Sequence, residues 1–319
     1  SAASDVYKRQ IQYVHMDAGW YGPEMKMSSD ATTVSSDKDL DIPALCKYAE
    51  SKGIGLMVYV NQRALVQQLD ILLPLYKKWG LKGIKFGFVQ IGNQRWSTWL
   101  HDAVRKCGEY NLMVDIHDEY RPTGFSRTYP NLMTQEGIRG NEEMPDATHN
   151  TTLPFTRYLA GAGDYTLCYF NNRVKNTKAH QLAMAAVYYS PLQFMYWYDR
   201  PEFYKGEEEL EFWKAIPSVW DDSRALDGEI GEYIVQARRS GNDWFVGAMT
   251  NTEARTITLT TDFLEPGKKY MLHLYEDDDK LNTRTKVRST HKKIKAGDKL
   301  VLKLKASGGA ALHFTPLKK

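Results

Sequence analysis

The sequence predicts an α/β protein in which a (β/α)8 barrel is followed by a C-terminal antiparallel β-sandwich. Three observations carry this expectation. Short apolar runs alternate with helical patterns from residue 11 to about residue 170. After Ala225 the pattern changes to short strands of period two separated by turn residues. The length of 319 residues accommodates a barrel and one small module.

The barrel elements run in order along the chain. Ile11–Asp17 reads as a strand. In Leu40–Lys52, the residues Ile42, Leu45, Tyr48 and Ala49 recur at helical spacing. Ile54–Val60 (strand), Leu65–Trp79 (helix), Gly83–Val89 (strand), Ser97–Tyr110 (helix) and Leu112–His117 (strand) come next, then the shorter strand Asn131–Gln135. Asp164–Phe170 and Pro191–Tyr198 are the best candidates for later strands. Mostly apolar strands separated by helices indicate a parallel sheet covered on both faces. Five such units in succession favour a barrel over an open doubly wound sheet. No Gly-x-Gly-x-x-Gly follows the first strand, which argues against a dinucleotide fold. Only about seven strands can be counted, so the first βα unit is expected upstream of residue 11, with the barrel running over 11–225. The opening decamer SAASDVYKRQ fits no periodic pattern and is read as an artefactual or unstructured leader, 1–10.

Residues 226–319 form the second module. Tyr233–Arg238, Trp244–Asn251, Thr256–Thr260, Lys269–Tyr275, Leu300–Lys305 and Gly309–Thr315 read as strands. Thr256–Thr260 and Leu302–Lys305 alternate with period two, as half-exposed antiparallel strands do. Gly241-Asn242, Pro266-Gly267 and Gly308-Gly309 mark turns.

Composition excludes several classes. A 42% apolar share supports a core, and 25% charged residues with a net charge of +3 argue against disorder or an electrostatic nucleic-acid surface. The late lysines, including Lys286, Lys292, Lys293 and Lys295, read as a solvated face. Cys46, Cys107 and Cys168 show no Cys-x-x-Cys spacing, so neither zinc nor a disulfide framework is expected. No apolar run is long enough for a membrane span.

Barrel active sites lie at the C-terminal ends of strands, so the residues just past each apolar run are the informative ones. There one finds Asp17-Ala18-Gly19-Trp20, then Asn61-Gln62-Arg63, then Gln90 after a strand carrying Lys85. His117-Asp118-Glu119 and Glu136, followed by Arg139-Gly140-Asn141-Glu142-Glu143, complete the set, with Tyr120 and Tyr129 nearby. Carboxylates with aromatic platforms suit a sugar ring, which needs hydrogen bonds at its edge and stacking on its face. An inward lysine such as Lys85 needs a partner, either substrate hydroxyls or a carboxylate. Converging carboxylates repel unless protonated or bridged, and oxygen donors suit Ca2+ better than zinc.

The stretches His117-Asp118-Glu119-Tyr120-Arg121-Pro122-Thr123-Gly124, Arg127-Thr128-Tyr129-Pro130-Asn131-Leu132 and Glu136-Gly137-Ile138-Arg139-Gly140-Asn141-Glu142 resemble glycoside hydrolase family 97. That family contains calcium-dependent α-glucosidases and α-galactosidases built as an N-terminal β-sandwich, a barrel and a C-terminal β-domain. The resemblance implies that Glu142 is the general acid and also lies at the calcium, that Glu136 is a calcium ligand, and that His117 contacts substrate. Asp118 corresponds to a glutamate that binds calcium and activates water in inverting members. A second family base falls near Asn61, where this chain has no carboxylate, so the base is Asp118 or Glu119. Gly87 stands where retaining members carry an aspartate nucleophile, so the chain resembles the inverting branch, and the space beside Gly87 is expected to be open to water. Substrate contacts are further expected from Lys85, Asp17 and Trp20. The resemblance thus implies a periplasmic or secreted enzyme that hydrolyses α-glucosides from the non-reducing end, with an N-terminal sandwich in the full-length protein. The alternatives are a retaining α-galactosidase of the same family and a catalytically inactive carbohydrate-binding protein.

Overall fold

A computed structural model describes residues 11–22, 29–32 and 40–317; the decamer 1–10 lies outside them. The chain forms two compact units. The first comprises the described residues of Asp5–Ile138 with Ala160–Asp164, and the second Arg139–Leu159 with those of Tyr165–Lys319.

In the first unit five parallel strands lie side by side in chain order: β1 (Tyr13–Met16), β2 (Gly55–Asn61), β3 (Gly83–Gly87), β4 (Met113–Ile116) and β5 (Leu132–Gln135). These strands and the helices between them fit part of the (β/α)8 barrel the sequence predicts. Helices α1 (Ile42–Ser51), α2 (Gln62–Trp79) and α3 (Gln94–Glu109) connect β1 to β4. Each helix starts where a side chain caps a free backbone N–H: Asp41 accepts from Ala44, Asn61 from Ala64 and Asn93 from Trp96, at 2.9, 2.8 and 3.0 Å. Helix α2 ends at Gly80, whose φ of 89° suits a left-handed cap. Strands β2 and β3 are buried along their whole length, which is why they read as continuous apolar runs.

Asp164–Phe170 and Pro191–Tyr198 are not strands. They are irregular segments with isolated pairings, such as Leu167 N–H to Phe194 O at 2.9 Å and Trp197 N–H to Leu167 O at 2.9 Å. Thr166, Tyr196 and Tyr198 have φ of 58°, 61° and 58°, and such left-handed residues interrupt the alternation a strand requires.

The second unit begins with helices α4 (Ala147–Thr152), α5 (Lys178–Val187) and α6 (Glu211–Ala215). Its strands are β6 (Asp222–Glu229), β7 (Tyr233–Ser240), β8 (Asp243–Thr250), β9 (Arg255–Thr260), β10 (Lys269–Asp277), β11 (Val287–Lys295), β12 (Lys299–Leu304) and β13 (Gly309–Pro316). Six form an antiparallel sheet in the order β11-β10-β13-β8-β7-β6, and β12 pairs with β9 in a second sheet. Trp244, Leu272, Leu312 and Phe314 of the larger sheet share one core with Ile257, Leu259, Leu300, Leu302 and Leu304 of the smaller, which makes the predicted sandwich.

This unit is wider than the predicted 226–319 because α5 packs on the larger sheet. A Cβ at Gly247 would lie 2.4 Å from the Ala183 carbonyl, so glycine there permits the close approach. His180 of α5 shares hydrogen bonds with Gly308 O and Asn150 Nδ2 at 3.0 and 3.2 Å, and burial pulls its pKa down to about 4. Edge strand β11 carries the exposed Lys292, Lys293 and Lys295, a placement that discourages pairing with another chain. Among the described residues no helix is long and apolar enough to cross a membrane. Cys46, Cys107 and Cys168 are buried and free.

Candidate active site

Parallel register aligns Tyr59 of β2 with Lys85 of β3, Lys85 with Asp115 of β4, and Asp115 with Thr134 of β5. Partners in register point to the same face, so these four buried residues form one inward row. Two residues further along their strands stand Gly87, His117 and Glu136, at the C-terminal edge where barrel sites are built.

Lys85 is fully buried and faces three carboxylates, at 3.2 Å from Asp115, 3.2 Å from Glu136 and 2.7 Å from Asp164. Burial alone would lower its pKa, but Asp115, Asp164 and Glu136 outweigh it and hold the ammonium well above its ordinary value. Asp115 goes the other way. Burial drives its carboxyl well up, and Asp164 and Glu136 add to the rise against the pull of Lys85.

Glu136 joins this cluster to the loop after β4. Its Oε1 faces Lys85 and lies 3.6 Å from His117 Nε2, and its Oε2 accepts the Asp118 N–H at 2.9 Å. Asp118 has φ of 64°, unusual for a non-glycine residue, and is held there from several sides. Its carbonyl accepts from Gly137 N–H at 2.8 Å, Oδ2 accepts from Val89 N–H at 2.9 Å, and Oδ1 lies 2.9 Å from His117 Nδ1. Burial tends to raise the Asp118 carboxyl. The His117 hydrogen bond, with the charges of His117 and Lys85 and the Val89 N–H, outweighs it and leaves Asp118 below the usual aspartate value.

The site residues expected from sequence thus divide. Lys85, His117, Asp118 and Glu136 come together. Lys85, expected to contact substrate, is instead consumed by carboxylates with a side chain 0% exposed. Trp20, expected as a sugar platform, is buried at 2% exposure; its Nε1 donates to Tyr59 O at 2.7 Å and its ring packs on Tyr21 and Tyr76. Asp17 is exposed at the end of β1, with Oδ1 accepting from Ala18 N–H. Glu119 is exposed and contributes no contact to the cluster. Glu142 is half-buried in a turn of the second unit, closed by Glu143 N–H to Gly140 O at 3.1 Å. Asn61 spends its side-chain oxygen on capping α2.

The space beside Gly87 is not open. A Cβ there would lie 1.7 Å from Cζ of Tyr59, so the phenol ring fills that volume. Sequence reasoning missed Tyr59, His15, Asp115 and Asp164. The available signal was a polar side chain inside an apolar run, as in Met113-Val114-Asp115-Ile116. His15 lies near this group, and burial, then Lys85 and His117, push its pKa well down, so it is neutral.

Carboxylates and a histidine at the C-terminal edge of the parallel sheet, in a chain that also carries a β-sandwich, suit a glycoside hydrolase. The sequence profile described as "Glycoside hydrolase 97" matches residues 6–138, and that described as "Glycosyl-hydrolase 97 C-terminal, oligomerisation" matches residues 219–315. The chain belongs to glycoside hydrolase family 97. It is 32% identical to the retaining alpha-galactosidase of Bacteroides thetaiotaomicron, over 95% of this chain and 48% of that protein. It is 31% identical to the probable retaining alpha-galactosidase of Streptomyces bingchenggensis, over 97% of this chain and 48% of that protein. A family 97 enzyme from Pseudoalteromonas sp. strain K8, solved in complex with acarbose, superposes with a TM-score of 0.87 at 31% identity, covering 98% of this chain and 55% of that one. The chain therefore spans about half the length of the relatives it matches.

Proposed function

We propose that the protein hydrolyses α-glycosidic bonds at the non-reducing end of α-glucosides, with inversion at the anomeric carbon. Glu142 donates a proton to the leaving oxygen. Asp118 takes a proton from the attacking water. The observation that carries this reading is the placement of Asp118 at the C-terminal edge of the sheet, with Oδ2 accepting the Val89 N–H at 2.9 Å and Oδ1 2.9 Å from His117 Nδ1, a setting that favours the ionised carboxylate. Exposed Glu119 has no such setting, so the choice between the two falls on Asp118.

Position 87 supports inversion in a second way. It offers no carboxylate to act as a nucleophile. The names of the two relatives favour the other reading, a retaining α-galactosidase. That reading needs a nucleophile at the anomeric carbon that the described residues around Gly87 do not supply.

Calcium belongs to the proposal. Asp118 and Glu136 offer hard oxygen donors with lone pairs beyond those already engaged, which fits the ion's chemistry, and Glu142 would join them. Bound there, the ion would supply positive charge that fixes the carboxylates and polarises the leaving group. His117 keeps Asp118 oriented and is placed to meet a sugar hydroxyl. The full-length protein would act in the periplasm or outside the cell.

The test is proton NMR of the first-formed product from para-nitrophenyl α-glucoside and α-galactoside. Release of the β-anomer from the glucoside is expected. Initial release of the α-anomer refutes inversion, and preference for the galactoside refutes the glucosidase assignment.

A further inference from the structure

We propose that Tyr59 is a sugar-contacting residue of this site, and that Gly87 is a glycine because the Tyr59 ring needs its space. The assignment rests on the reading of the site as one for a glycoside. Two independent observations support it.

The first is steric. Tyr59 Cζ, hydroxyl oxygen and Cε1 lie 1.7, 1.9 and 2.1 Å from where a Cβ at position 87 would stand. No side chain fits at 87 while the phenol stays where it is. The ring is further fixed by edge contacts to Phe88 and His117, at centroid distances of 5.9 and 5.6 Å, and by a tilted contact to His15 at 6.4 Å. The hydroxyl end of Tyr59 is therefore held at the C-terminal edge of β3, in the ring of residues that surrounds His117.

The second is polar. Tyr59 is 2% exposed as a residue, and its hydroxyl, which makes no hydrogen bond among the described residues, is not sealed from solvent and so opens on the space beside the site. Buried phenols usually find a partner. Tyr21 and Tyr76 do so, through Asn61 N–H and Ala31 O. An unpartnered phenol aimed into a carboxylate-lined site is completed by a ligand. Burial, then Asp118 and Tyr21, raise its pKa far above the ordinary tyrosine value against the opposing pull of Lys85, with Asp17 adding to the rise. Tyr59 thus offers a neutral O–H and serves as a hydrogen-bond donor to a sugar hydroxyl, with no capacity to act as a nucleophile.

The experiment uses the whole chain with the variants Tyr59→Phe, Tyr59→Ala, Gly87→Ala and Tyr59→Ala/Gly87→Ala. Thermal unfolding is measured for each, together with kcat/KM towards para-nitrophenyl α-glucoside and α-galactoside. Tyr59→Phe keeps the ring and should melt with the parent, while kcat/KM falls about three- to tenfold, the loss of one neutral hydrogen bond. Gly87→Ala should lower the melting midpoint by several degrees, and the same change should cost less than half as much in the Tyr59→Ala background. Unchanged kcat/KM in Tyr59→Phe overturns the sugar contact, and additive midpoint shifts overturn the interlock. If the parent turns over neither glycoside, the glycosidase reading falls and takes the sugar contact with it, while the interlock is still decided by the melts.

Discussion

Replacing Lys85 by methionine isolates the role of the buried cation. Methionine roughly preserves the length and apolar stem of the side chain but removes the ammonium. In the parent, Nζ lies 3.2, 3.2 and 2.7 Å from the carboxylates of Asp115, Glu136 and Asp164. Without it three buried carboxyl groups face one another with no cation between them. Breaking a buried ion pair by deleting one partner costs about 3–5 kcal/mol. For a unit of this size that is a drop of roughly 6–20 °C in the melting midpoint, at about 2–4 °C per kcal/mol. The loss must depend on pH. In the variant the carboxyl groups have folded pKa values above their unfolded ones, as Asp115 already does. Such groups contribute stability below the unfolded value and lose it as pH rises through the folded one. The deficit is therefore largest near neutrality and shrinks as pH falls toward the ordinary carboxylate range. Calorimetric melts of both proteins at pH 7 and pH 5 measure it. A midpoint within about 2 °C of the parent at pH 7, or a deficit independent of pH, would refute the view that Lys85 neutralises this cluster.

Two further outcomes are expected. Glu142→Gln should lower kcat by roughly two to four orders of magnitude on glycosides with poor leaving groups and much less on activated aryl glycosides; an equal loss on both removes Glu142 from the acid role. His117→Phe removes a group that holds Asp118 below its usual value. The acid limb of kcat/KM, which reports protonation of the base as pH falls, should therefore move to higher pH, and a profile that keeps its acid limb in place separates Asp118 from that limb.

The sequence makes the first five strands and three helices legible because each is long, periodic and locally capped. Asp41, Asn61 and Asn93 all sit at helix starts that periodicity placed only within a few residues. Helix α5 is invisible to the same reasoning. Residues Ala179–Val187 are all buried, so no polar face gives the period away. Strand β11 is hidden for the opposite reason, since only Val287 and Ile294 are buried among polar neighbours. At the site, motif and position identify His117, Asp118 and Glu136. A sequence does not reveal which side chains share a volume. Lys85 reads equally as a substrate contact or as the partner of a carboxylate until Asp115 and Asp164 are seen beside it. Gly87 reads as an opening until the ring of Tyr59 is seen to fill it.

The buried charge and the candidate base form one construction. A single ammonium cannot neutralise three buried carboxylates, and burial with the neighbouring Asp164 and Glu136 drives the Asp115 pKa well up, which favours its neutral form. Glu136 is the member of the cluster that reaches outward. One of its oxygens answers Lys85, and the other takes the backbone N–H of Asp118. That N–H belongs to a residue at φ of 64°, a conformation that costs on the order of 1–3 kcal/mol and persists only where surrounding contacts fix it. The Glu136 bond, the Gly137 N–H on the Asp118 carbonyl and the Val89 N–H on its carboxylate are those contacts. On the proposed reading Lys85 would act on the chemistry without touching substrate. It anchors Glu136, Glu136 sets the strained turn, and the turn aims Asp118.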